Sequence, residues 1–129
     1  MEEQEKLTIL VAEDDPVMAK LLEFNLMRES YSVVICRDGR DVLTRIESIR
    51  PALILLDYVM PGATGMDILN ELRIREHLTN IPVLMVTGQG RETVKNSLLN
   101  AGARAVFTKP FSTIELLQEI RNQLATSPT

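Results

Sequence analysis

The chain has 129 residues, 45% of them hydrophobic, which suits one domain around one core. A formal net charge of −4, with no run of eighteen apolar residues, argues against a nucleic-acid backbone binder and against a membrane span. Cys36 is the only cysteine, so a disulfide framework and a paired-cysteine metal knuckle are both excluded.

The opening MEEQEK is short and mostly acidic, without the basic start and apolar centre of a secretory signal, and the expected location is the cytoplasm. Leu7–Ala12 is the first of five short apolar runs and stops at Glu13-Asp14-Asp15. Pro16 to Arg28 has helical spacing, with Met18, Leu21, Leu22, Asn25 and Leu26 on one stripe and Pro16 suited to a first turn. Ser32–Cys36 is the second run, and Gly39 punctuates the link that follows. Ala52–Leu56 is the third; it ends on Asp57 and breaks into a turn at Pro61-Gly62, with Gly65 beyond. Pro82–Thr87 is the fourth, followed by Gly88 and Gly90 around Gln89, a loop with unusual backbone freedom. After Gly102 comes the fifth, Arg104–Thr108, which leads into Lys109-Pro110. Ser112 to Leu124 reads as a helix with Ile114, Leu117, Ile120 and Leu124 inward, opened by a Ser112-x-x-Glu115 capping box.

The apolar runs are continuous rather than alternating and rich in Val and Ile, as strands covered on both faces are. Strand and helix alternate along the whole chain, so the expected class is α/β: an open parallel sheet with right-handed crossovers and helices on both faces. One domain, 1–129, is expected, with a core over about 7–124 and flexible ends at 1–6 and 125–129.

In such a sheet the ligand crevice lies beyond the carboxyl ends of the strands. The runs end on Glu13-Asp14-Asp15, Asp57, Thr87 and Lys109, so acids, a hydroxyl and an ammonium converge at one edge. Singly, each has a plainer reading: Asp14 or Asp15 as a helix N-cap, Thr87 as a strand end, Lys109 as a solvated cation. Jointly they point to a site. Crowded carboxylates repel, and Mg²⁺, which takes oxygen ligands from carboxylates, waters and phosphate, relieves that repulsion. Zinc does not fit, because His77 is the only histidine and Cys36 lies on another strand. A carboxylate at Asp57 can then attack a phosphoryl group, provided that the charge on the phosphoryl oxygens is neutralised by Mg²⁺, Lys109 and the Thr87 hydroxyl.

The chain resembles the receiver domain of bacterial two-component response regulators, chemotaxis-type, from about Leu7 to Leu124. The motifs "ILVAEDDP", "LILLDYVMPGATG", "IPVLMVTGQG" and "FTKPF" occur in the right order and at the right spacing. The resemblance implies a flavodoxin-like doubly wound five-stranded parallel sheet, order 2-1-3-4-5, with five helices. It implies a signalling switch, not a turnover enzyme, that accepts a phosphoryl group on Asp57 from a sensor histidine kinase or a histidine phosphotransfer protein and then engages a downstream protein target. By the same resemblance, Asp14 is the direct Mg²⁺ ligand, Glu13 acts through water, Val59 offers its backbone carbonyl, Thr87 is the switch hydroxyl and Lys109 pairs with the phosphoryl group. The Lys109-Pro110 bond is cis in this family, and a monomer or weak dimer is expected.

Two departures from the family pattern stand out. The aromatic residue usual three positions before the lysine is Val106 here, and strand alternation turns Phe107 to the opposite face. Arg104-Ala105 stands where DNA-binding regulators often carry an acidic pair, which favours a receiver that binds no nucleic acid itself. His77 reads as a solvated surface residue, and Arg91, Lys95 and Arg104 as a mildly basic docking face. Three rivals follow different chemistry or context. A haloacid-dehalogenase-type phosphatase needs a second acid at position 59, which is Val. A flavin carrier needs a phosphate loop where Glu13-Asp14-Asp15 stands. A receiver within a longer hybrid kinase or multidomain regulator shares the same site and stays open.

Overall fold

Five parallel strands, β1 (Thr8–Ala12), β2 (Ser32–Cys36), β3 (Leu53–Asp57), β4 (Val83–Thr87) and β5 (Ala105–Thr108), form one sheet in the order 2-1-3-4-5. Alternating with them are α1 (Pro16–Arg28), α2 (Gly39–Ile49), α3 (Gly65–Ile74), α4 (Glu92–Asn100) and α5 (Thr113–Ala125). This is the computed structural model of the chain, and it describes residues 6–88 and 90–125. Residues 1–5, Gln89 and 126–129, on which the expectations of flexible ends and part of the flexible loop fall, lie outside the described residues.

The run of apolar residues on each central strand is explained by two cores, one per face. On one face Leu10, Ile54, Leu56 and Met85 meet Val42 and Ile46 of α2, Ile68 and Leu72 of α3, and Leu98 of α4. On the other, Ile9, Val11, Leu55 and Val86 meet Leu22 and Leu26 of α1 and Leu116 and Ile120 of α5. Strands β3 and β4 are buried throughout, whereas the edge strands β2 and β5 are mostly half-buried. Among the described residues no helix is long and apolar enough to cross a membrane.

Two helical stripes differ from expectation. Leu21 of α1 and Ile114 of α5 face solvent, at 47% and 75% exposure, while Ala19 and Leu116 take buried places. Each helix rests on the sheet along a narrower line than the apolar pattern suggests, and both outliers lie about a third of a turn or more from it. Asn25 sits within α1 by donating its amide to the Leu21 carbonyl one turn back, at 2.8 Å. At α5 the Ser112 hydroxyl accepts from the Glu115 N–H at 3.2 Å. The reciprocal capping box is complete at α3, between Thr64 and Asp67, which the sequence reading did not single out.

Candidate functional site

Strand register sets the site. Ala12 pairs with Leu56 and Asp57 with Val86, so the residues that follow β1 and end β3 and β4 come out at one height of the same rim. The ladder runs one step past the strands: Glu13 N–H donates to the Cys36 carbonyl at 3.0 Å, Tyr58 N–H to Val86 at 2.9 Å, and Lys109 N–H to Thr87 at 2.8 Å. These bonds fix the backbone from which the polar side chains leave.

Among the described residues, the buried polar and charged side chains are Glu13, Asp57 and Thr87, and all three stand at this rim. Carboxylate oxygens of Glu13, Asp14 and Asp57 lie within 4.8 Å of one another. Lys109 closes the cluster, its Nζ donating to Asp57 Oδ2 at 2.9 Å and to Glu13 Oε1 at 3.2 Å. Asp57 Oδ1 accepts from the Val59 N–H at 3.3 Å, while the Val59 side chain points to solvent. The expected residues Glu13, Asp14, Asp57, Val59, Thr87 and Lys109 are thus brought to one place. The Lys109-Pro110 bond is cis.

The acidic triplet divides its work. Asp15 is the N-cap of α1, accepting from Val17 and Met18 N–H groups at 3.4 and 3.3 Å. Asp14 is exposed, and Glu13 turns inward with Oε2 accepting from the Asp15 N–H at 3.2 Å. Burial first, then the nearby Asp57 charge, pushes the Glu13 carboxyl above its ordinary value, against the opposing pull of the Asp15 amide and Lys109. Burial lowers Lys109, but its bonds to Asp57 and Glu13 outweigh that and hold the ammonium above its usual value. One ammonium therefore faces three carboxylates, an excess of negative charge in a partly dry site. The donors are all hard oxygens, which fits Mg²⁺ and not a nitrogen- or sulfur-seeking metal.

Val106 packs against the α2–α3–α4 face and Phe107 against the α1–α5 face, so the two side chains stand on opposite faces of the sheet, as strand alternation predicts. His77 needs correction. It lies exposed in the turn after α3, on the surface as expected, but is not merely solvated: its Nε2 is 2.7 Å from Glu47 Oε1 on α2. Arg75 joins the same carboxylate at 2.8 Å and Glu71 at 3.1 Å. Hydrogen bonds from His77 and then Arg75 hold the Glu47 carboxyl below its ordinary value. The three residues of the expected basic face are spread from rim to rim, with Lys95 on α4 between the other two. Arg91 is the N-cap of α4 beside the site's rim, whereas Arg104 precedes β5 at the opposite rim, where it donates to Gln123 Oε1 at 3.1 Å.

The sequence reading missed the close approaches around the β3–α3 loop, by backbone at Gly39 and Gly65 and by the Asp38 and Arg40 side chains at Gly62. The only signal for them is glycine itself in a punctuated link.

A family model described as response regulator receiver domain matches residues 9–121. Among solved structures, a chain assigned as a response regulator from Chloroflexus aurantiacus superposes with a TM-score of 0.89 at 30% identity, covering 95% of this chain and 100% of that one. The receiver domain of a sensor histidine kinase from Pseudomonas aeruginosa, with magnesium coordinated in its active-site cleft, gives 0.86 at 26% identity over 95% and 100% of the two chains. The chemotaxis response regulator CheY4 of Vibrio cholerae gives 0.86 at 25% identity over 93% and 100%.

Proposed function

The chain belongs to the response regulator receiver domain family, and from that premise we propose that Asp57 is its phosphoacceptor in a Mg²⁺-dependent signalling switch. The observation that carries the reading is the cluster itself: three carboxylates and one ammonium at the end of the sheet where the buried polar side chains gather. Mg²⁺ would be held by Asp14, Asp57, the Val59 carbonyl and, through water, Glu13; when bound it supplies the positive charge that crowded acids and an incoming phosphoryl group both require.

The chain's own residues do the rest. An Asp57 carboxylate oxygen attacks phosphorus as the phosphorus–nitrogen bond of a phosphohistidine donor breaks, and the donor imidazole leaves with that electron pair. Lys109, already bonded to Asp57 Oδ2, stays as the cation for the new acyl phosphate. Thr87, fully buried on the neighbouring strand, is the hydroxyl that responds. With Val106 on β5, the ring-swing part of the response is absent, and Thr87 with the loop after it carries the change toward a state that binds a protein target. The donor class is a sensor histidine kinase or histidine phosphotransfer protein, and the chain acts as one cytoplasmic receiver domain, core 7–124, monomeric or weakly dimeric. A receiver set within a hybrid kinase would use the same residues.

Intact-protein mass after incubation with Mg²⁺ and a small phosphodonor tests the proposal. One added phosphoryl group is expected, absent with chelator and reduced on the order of a thousandfold in rate in Asp57→Asn. Full labelling of Asp57→Asn would show that another residue is the acceptor.

A further inference from the structure

We infer that the corner between β2 and α2, residues Asp38, Gly39 and Arg40, positions the metal-binding loop by holding residues 58–64 at the height of Asp57. The inference rests on the role proposed above for the Val59 carbonyl and adds the element that fixes it.

The loop is tied at both ends by its own elements. Val59 N–H reaches back to Asp57 Oδ1 at 3.3 Å, and Gly65 N–H donates to the Tyr58 carbonyl at 2.8 Å. A Cβ on Gly65 would stand 2.7 Å from the Asp57 carbonyl oxygen, so α3 starts directly against the end of β3. The middle of the loop has a different support. Gly39 N–H donates to the Pro61 carbonyl at 2.7 Å, and a Cβ on Gly39 would lie 2.5 Å from the Ala63 carbonyl oxygen and 2.9 Å from the Ala63 nitrogen. Gly62 sits at φ +90°, and a Cβ there would meet Asp38 Oδ1 and Arg40 Cγ, each at 2.6 Å.

At Gly39 two backbones therefore touch with no side chain between them to absorb a displacement, while at Gly62 the neighbours are the Asp38 and Arg40 side chains. The corner is also hydrogen-bonded within itself. Asp38 Oδ1 accepts from the Arg40 N–H at 2.8 Å and from Arg40 Nε at 3.1 Å, and Asp38 Oδ2 from Nη2 at 2.6 Å. Hydrogen bonds from Arg40 hold the Asp38 carboxyl down to about 2, so the pair stays ionised at working pH. A methyl at position 39 must displace backbone, and the backbone it displaces leads directly to Val59.

Coupling of this kind is reciprocal: if the corner positions the metal site, filling the site must stabilise the corner. The test is amide hydrogen exchange by NMR on the full chain with saturating Mg²⁺ and with chelator. The Gly39 amide is expected to exchange several-fold more slowly in Mg²⁺ beyond any slowing of the Ala101 amide, bonded to the Ser97 carbonyl on α4, which reports only the global gain. In parallel, Gly39→Ala is expected to weaken Mg²⁺ on the order of tenfold or more, as loss of a supporting contact does at a metal site, and Ile46→Val, a core change on the same helix, to leave affinity intact. Exchange at Gly39 that ignores Mg²⁺ while the Val59 amide resonance shifts with it would overturn the inference, as would equal weakening in Ile46→Val. A wild type with no Mg²⁺ response at the Val59 amide would instead overturn the metal reading, and this inference with it. The exchange measurement needs no variant, so it decides the matter even where Gly39→Ala does not fold.

Discussion

At the carboxyl ends of the strands stand Glu13, Asp57 and Thr87, buried, with Lys109 and Asp14 against them. At the amino ends, Leu7, Ala52, Pro82 and Arg104 line a shallow cleft with Leu124 of α5, and the main-chain groups there close on one another. Ser32 N–H meets the Leu7 carbonyl at 2.9 Å, Ala52 N–H meets Thr8 at 2.8 Å, and Ile54 N–H meets Pro82 at 2.9 Å. The strands between are equally apolar. What differs is that one rim buries like charges near each other, which costs stability unless a cation joins them, and among the described residues the other buries none. Such an arrangement is common where chemistry needs it, and the contrast supports the site proposed at the carboxyl rim.

The contrast breaks most visibly at Lys109. Lys109→Ala leaves Glu13 and Asp57 facing each other, and in chelator it is expected to lower unfolding free energy by about 1–3 kcal/mol, less than for a fully buried pair because the lysine is partly exposed. Urea titration measures it, and Mg²⁺ should recover part of the loss. Once labelled on Asp57, this variant is expected to bind its protein target less well than labelled wild type; unchanged affinity would remove Lys109 from the switch.

Glu13→Gln sharpens the comparison from the other side. Because the Glu13 carboxyl is raised, its ionised form disfavours the fold, and the neutral isostere is expected to raise Tm in chelator by roughly 3 °C while weakening Mg²⁺. The pH dependence carries a definite sign. A raised folded value means that the stability from protonation is full below the ordinary carboxyl value of 4.5 and is lost as pH rises through the raised one. The excess stability of Glu13→Gln over wild type should therefore shrink as pH falls from neutral toward 4.5, as urea unfolding across that range with chelator would show. A gap that widens on acidification contradicts the assignment. The smallest effect belongs to the amino rim. Arg104→Ala removes an exposed contact to Gln123 and is expected to change stability by less than about 0.5 kcal/mol and Mg²⁺ affinity not at all.

How much of this could be read in the sequence follows from the same contrast. The strands were legible because burial on both faces leaves a continuous apolar run, and the site because each run stops on a charge. Observed bounds differ by a residue: β3 takes in Asp57, β4 starts at Val83 and β5 at Ala105. Leu21 and Ile114 were misplaced because an apolar residue at helical spacing records compatibility with a buried line, not contact with it. The His77–Glu47 pair joins residues thirty apart in sequence on separate elements, and no local pattern announces such a meeting. Gly39 and Gly62 could be seen only as turn residues, since a glycine does not name the atoms that approach it.

Thermal unfolding in chelator and in increasing Mg²⁺ tests the central claim most directly, because it asks whether the carboxylate rim is relieved by a dication. Wild type is expected to gain stability saturably, about 1.4 kcal/mol at ten times Kd, or roughly 5 °C in Tm, with the gain lost in a variant carrying both Asp14→Asn and Asp57→Asn. A wild-type Tm indifferent to Mg²⁺, or a gain of the same size in the double variant, would contradict it.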